Sequence, residues 1–303
     1  GFTATAAFPL STLQQFGTIR TRVRYVRNSV KVTVNAVTGA VDFYRVPVED
    51  PLLDAYERAF PGLLQPLEQM PAELRDHVRY SRDMLNLQTR VLHQYHQETA
   101  PAFHGQQDVW DSPQELAQGP SPIAYRPEYG LYALPGESEA RFHLTTVFVP
   151  RDRQNLTAIL AARTDERGVP ELILYDVPIT DQVPGPRQIE ALVEQDPQIS
   201  QQFSLWRTGG SEVWTGHLHL VSVGQRVLYM EPVFLAAEED AIPELRRFVV
   251  SDGVRVAMTE ELSGAIAELA GYSVVDVGSA IAEPALDATE SPTGVPTFDP
   301  SLA

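Results

Sequence analysis

The residues of this chain that could do chemistry fall into four small groups. His93 and His96 stand at i and i+3. On a helix both imidazoles would face one way, and with His104 or Asp108 they could hold zinc or iron. Neighbouring Leu92 and Tyr95 support a plainer reading, the polar side of an amphipathic helix. His217 and His219 alternate, so on a strand they share a face. Such a pair can ligate a metal, or it can be the wetted face of a sheet that buries Leu218 and Leu220. Glu260 and Glu261 could act as paired carboxylates, but directly after Thr259 they read as first-turn acids complementing a helix dipole. Glu238, Glu239 and Asp240 could attract calcium, or form a solvated loop before Pro243. The chain has no Gly-x-x-x-x-Gly-Lys loop, no Gly-x-Gly-x-x-Gly, no His-Glu-x-x-His and no Gly-x-Ser-x-Gly. From the sequence we therefore assign no catalytic, cofactor-binding or metal-ligating residue, and expect no cofactor.

Charge narrows the partners. The 303 residues carry a formal charge of -17, which argues against nucleic acid as a ligand, since phosphate neutralisation needs surplus Lys and Arg. The acidity is uneven. Up to Gly119 there are 11 basic and 13 acidic residues, and the remainder holds 12 basic and 27 acidic. One local basic segment stands out: Arg20, Arg22, Arg24, Arg27 and Lys31. It could meet a lipid headgroup or an acidic partner; pairing with the acidic second half of the same chain is the preferred expectation. Cysteine is absent, which excludes disulfides, thiolate catalysis and Cys-bound zinc. No apolar run reaches the roughly 18 residues of a membrane helix, and no signal peptide is visible at Gly1.

The elements that must position these residues can be read in order. Val30, Val32 and Val34 alternate with polar residues, and Thr38-Gly39 turns the chain back into Val41, Phe43 and Tyr44, a hairpin. Asp50-Pro51 opens a helix whose stripe is Leu52, Tyr56 and Phe60, and Pro61 stops it. Helical period returns from about residue 71 to 97, with Ser81 able to cap a second helix inside it. Residues 99–129 form an irregular connector, tied down by Phe103, Trp110 and Tyr125. A meander follows, with strands at 142–149, 156–163, 172–177, 213–223 and 227–235, the last two joined at Gly224-Gln225. Residues 188–206 are helical with a bend at Pro197. Two strands flank Asp252-Gly253, and Thr259 is read as the cap of a last helix that Gly271 ends. The expected organisation is a hairpin-and-helix segment with its connector (1–120), an α+β meander (121–271) and a flexible acidic tail (272–303). The fold class is α+β, the first segment packing on a larger, mostly antiparallel sheet with helices.

Several stretches together resemble Uncharacterised Protein Family 0182, a family of large bacterial multi-pass membrane proteins. The most distinctive runs from Tyr25 through Arg27, Asn28, Ser29 and Lys31 to Val32. Met70-Pro71, His77, Arg79-Tyr80, Asp83 and Gln88 follow, then Tyr95-His96, Asp108 and Trp110. Later come Gly185-Pro186, Gln188 to Ala191, Gln195-Asp196, Gly216, Leu228-Tyr229 and Glu231-Pro232. Ser81 stands where the family pattern expects Pro, and His217 where it expects Asn. The resemblance covers about residues 1–269 and implies a membrane-spanning region N-terminal to Gly1, followed by a long extracytoplasmic part. It implies no activity, cofactor or catalytic residue.

The expected function is a non-catalytic extracytoplasmic module of a cell-membrane protein, serving partner binding or assembly. Its partners would be the protein's own membrane-spanning region or an envelope protein. The alternatives are a metal-dependent envelope hydrolase using His93, His96 and Asp108, and a ligand-sensing regulatory domain with a cleft between its two parts.

Overall fold

Gly39 takes φ +72°, a backbone conformation that side chains disfavour, and so joins β1 (Val30–Val34) to β2 (Val41–Arg45). The computed structural model in which this is seen describes residues 1–17, 21–116, 121–223, 226–237 and 242–271. Arg20, the Gly224-Gln225 turn, the Glu238–Asp240 acids and the tail 272–303 lie outside the described residues.

Asp50 caps α1 (Pro51–Ala59), its carboxylate accepting from the Leu52 amide. It also accepts from the hydroxyls of Thr3, Ser29 and Tyr25, so the cap doubles as a buried polar junction. The expected apolar stripe of α1 is not its buried face. Leu53 is buried, while Tyr56 and Phe60 are more than half exposed. β3 (Leu64–Pro66) then adds to β2 in parallel. The helical pattern of residues 71–97 divides as Ser81 suggests. A single turn, Ala72–Arg75, precedes α2 (Arg82–Tyr95), whose Met84 amide donates to the Ser81 hydroxyl.

The connector is ordered by packing. Trp110-Asp111 pairs with Val149-Pro150, and Trp110 and Tyr125 are buried. The first sheet is a plain antiparallel meander of β4 (Glu128–Tyr132), β5 (Arg141–Pro150), β6 (Ala158–Thr164) and β7 (Pro170–Asp176). Two helices follow, α3 (Pro186–Gln195) and α4 (Pro197–Thr208). Asp196 closes one and opens the other: its amide donates to Leu192 O, and its carboxylate accepts from the Gln198 and Ile199 amides.

The second sheet contains β8 (Ser211–Thr215), β9 (His219–Val223), β10 (Arg226–Ala237), β11 (Glu244–Ser251) and β12 (Val256–Thr259). Long β10 pairs with β8 and β9 on one side and β11 on the other. The single strand expected over 213–223 is thus two. The chain breaks at Gly216, whose amide donates to Pro232 O at 2.7 Å. A Cβ there would sit 2.6 Å from Pro232 Cγ. The last helix, α5 (Leu262–Ala270), also begins later than expected. Thr259 ends β12 and donates its hydroxyl to Glu261 O instead of capping the helix, while Gly271 ends α5 at φ +81°.

The fold class is α+β. In place of one larger sheet there are two five-stranded antiparallel sheets among the described residues, each with helices against it, beside smaller sheets such as β1–β3. Phe16, Val23, Met84 and Leu85 pack with Leu144, Phe148 and Leu160, so the N-terminal segment and the first sheet share a core. Val147 turns the other way, into a second core with Ile189 and Val193 of α3, Phe203 of α4, and Tyr229 and Val233 of β10. α5 covers the outer side of the second sheet through Ala265 and Leu269.

Candidate functional site

The histidine groups do not assemble into a metal centre. His93 Nε2 lies 3.1 Å from Ser112 Oγ. His96 stacks on Trp110 with centroids 3.6 Å apart, and its two ring nitrogens face the carbonyls of Leu92 and Asp108 at 2.7 and 2.9 Å. Asp108 meets His96 by its backbone, not its carboxylate, and so is not placed as a co-ligand. His217 is not on a strand and not on a wetted face. Its Nδ1 sits 2.8 Å from Glu115 Oε2, a carboxylate only 2% exposed. His219 is half-buried beside it, and burial lowers its pKa. Leu218 and Leu220 are buried as expected. Glu260 pairs with Arg247 at 2.9 Å, and Glu261 precedes α5 without a capping bond from its side chain. Among the described residues no three His, Asp or Glu side chains converge to hold a metal ion.

The basic segment behaves differently from expectation. Among the described residues Arg22, Arg24, Arg27 and Lys31 pair with no carboxylate of the acidic half. Arg24 donates to Ser11 O, and Arg27 lies 5.8 Å from the Tyr25 ring centroid. Lys31 is drawn inward instead. From β1 it enters a cleft of about 330 Å3 at the seam between the N-terminal segment and the first sheet. Asn28, Tyr80, Gln88 and Arg27 line the same cleft, closed on the far side by Thr164 and Leu172. Lys31 Nζ donates to Asn28 Oδ1 at 2.9 Å and to Arg79 O at 3.2 Å, leaving one of its three protons for another acceptor. Tyr80 donates its hydroxyl to Gln88 Oε1 at 2.5 Å, which leaves the Gln88 amide protons available. Among the described residues no carboxylate lines this cleft. Burial pushes Lys31 down to about 8 and Tyr80 up to about 12. The arrangement is a donor-rich, partly apolar cleft with an unneutralised cation, suited to a small anion.

The same strand has an unusual outer face. An alternating strand ordinarily turns its valines inward. Here Lys31 and its cross-strand neighbour Tyr44 face inward, Tyr44 being buried, while Val32, Val34 and Val41 are exposed by 41, 65 and 45%. Lys31, Asn28, Tyr80 and Gln88 all lie in stretches that carry the family resemblance, yet their meeting had no signal in the sequence, because they come from a turn, a strand, a loop and a helix.

Fold and cleft define an α+β protein organised around a polar seam between two packed parts. The profile of the Uncharacterised protein family (UPF0182) matches residues 1–206, and the chain belongs to this family. It is 39% identical over 291 residues to a UPF0182 protein of Moorella thermoacetica, covering 96% of this chain and 31% of that protein. With a UPF0182 protein of Cupriavidus necator it shares 41% identity over 249 residues, 81% of this chain and 27% of the relative. One from Prochlorococcus marinus is 43% identical over 240 residues, with 79 and 25% covered. The chain thus spans between a quarter and a third of these relatives' length. The family's description names no activity, and no solved structure matches the chain.

Proposed function

We propose that this chain is a non-catalytic binding module of a larger membrane protein, placed outside the cytoplasm. It docks on the rest of that protein and reads a small anion at the seam cleft. One observation carries the reading: β1 presents valines to solvent on one face and an unneutralised lysine to a carboxylate-free cleft on the other. An apolar sheet face left outside is usually covered by something, and the relatives' greater length supports the remainder of the same polypeptide as that cover. The lysine face suits a carboxylate or phosphate ester with a short apolar body, with Lys31 and Gln88 supplying donors. Ligand on one face of a strand and partner on the other is a direct route for coupling the two.

The two roles separate by mutation. Val32→Ser with Val34→Ser in the full-length protein is expected to release residues 1–303 from the remainder after limited proteolysis, while Lys31→Met leaves them associated. Conversely, thermal shifts of the 303-residue chain by butyrate, hexanoate and phenyl phosphate are expected to vanish in Lys31→Met and to weaken above pH 8, where Lys31 loses its proton. Unchanged association in the valine variant removes the docking role. Absence of any Lys31-dependent shift removes the ligand role.

A further inference from the structure

A second cleft, independent of Lys31, has the opposite charge. It encloses about 630 Å3 between α3, α4 and the β8–β10 pair, and Glu190, Glu194, Arg207, Glu212, Trp214 and Glu231 are on its walls. The acids are not equivalent. Glu190 is held by Arg187 at 2.6 Å and by the Leu116 amide. Glu212 accepts from Trp214 Nε1 at 3.2 Å. Glu231 is 2% exposed, on the apolar inner side of β10 with Tyr229 and Val233, and its Oε2 has no hydrogen-bond partner. A buried carboxyl that faces a cleft without a partner calls for one.

The partner must be cationic, and the surroundings say of what kind. Three carboxylates, Glu190, Glu194 and Glu212, share the walls with Glu231. Arg207 is the one cation lining the cleft among the described residues, and it is turned over the Phe203 ring at 5.7 Å. A bare metal ion does not suit, because no three acidic or imidazole side chains among the described residues converge for one. Phe203, a wall residue on the same inner side as Glu231, favours a cation that carries carbon.

We propose that this cleft binds an organic cation, an alkyl ammonium or guanidinium group, with Glu231 as its carboxylate and Phe203 against its carbon skeleton. Burial, and then Glu190, Glu115 and Glu194, push the Glu231 carboxyl up to about 8. At neutral pH it is therefore protonated, and docking a cation expels that proton to solvent as the carboxylate forms. Binding tightens with rising pH, by up to about tenfold per unit below pH 8, and levels off above it. Of the charged groups around Glu231, Glu190 and Glu194 come from α3, Arg207 from α4 and Glu115 from the connector, while Glu212 of β8 lies with Trp214 on the other face of that strand.

Titration calorimetry with agmatine and with benzylamine at pH 7, in phosphate and in MOPS, tests this. Saturable binding is expected, with about one proton released per ligand, read from the difference between buffers. Glu231→Gln keeps the shape and the neutral charge of the uncomplexed site, and should weaken binding at least about tenfold and remove the buffer dependence. Glu212→Gln should retain proton release, and Lys31→Met should change nothing. The proposal is overturned if neither amine binds, if Glu231→Gln binds equally well, or if magnesium or calcium displaces the amine in a Glu231-dependent way.

Discussion

Glu231 and Lys31 are ionisable groups of opposite sign, each held toward its neutral form by burial. Their effects on stability can be worked out. Burial pushes Glu231 up to about 8 in the folded chain, against 4.5 for an ordinary glutamate. Between those values the folded chain keeps a proton that the unfolded chain releases, so this residue's contribution falls as pH rises, by at most about 1.4 kcal/mol per unit. Glu231→Gln is expected to melt with the parent near pH 5 and clearly above it at pH 8; equal melting temperatures across that range would show that the folded carboxyl ionises normally. Neither residue announced this state in the sequence. Lys31 is visible there only as the end of a basic run, and Glu231 only as part of a Glu-Pro pair. Asp50 was easier, because capping is local: the acid, the proline after it and the amide it accepts from all lie within three residues.

At the scale of elements, the local signals worked where the partner was near in sequence. The hairpin turn at Gly39, the caps at Asp50 and Ser81, the bend at Pro197 and the stop at Gly271 all stand in the structure. They failed where a distant residue intervened. The run 213–223 has continuous strand character, but Pro232 crosses beneath Gly216 and breaks it. Gly216→Ala is therefore expected to destabilise the chain by about 1–3 kcal/mol through overpacking, measured by urea unfolding; a loss within experimental error would mean that Pro232 yields easily. Thr259 misled for the opposite reason. Its type fits a cap, yet its hydroxyl donates to Glu261 O, so the strand runs on and the helix starts after Glu261.

For the whole molecule the decisive feature is that the N-terminal segment does not own its core. Leu85 of α2 is fully buried in a cluster with Leu144 and Phe148 of β5. Leu85→Ala should cost about 2–5 kcal/mol, and calorimetry should record one transition that moves down as a unit. A transition left at its original temperature would show that residues 121–271 fold independently. The same shared packing makes the seam cleft, since Lys31 comes from one part and Thr164 and Leu172 from the other. The valine face of β1 is left outside by the described residues, and it is the surface that the proposed docking would cover.

Composition, period and turn chemistry by themselves determined the α+β class and the main turns and caps, while ordered short motifs carried the resemblance to the family. These depend on contacts between near neighbours in the chain, or on totals over all of it. Only the tertiary structure decided which face of β1 is buried, because alternation sets two faces apart without saying which one meets the core. It alone decided which charges stand without partners, because the walls around Lys31 and Glu231 bring in residues more than a hundred and about forty positions away in the sequence, Thr164 and Glu190 respectively.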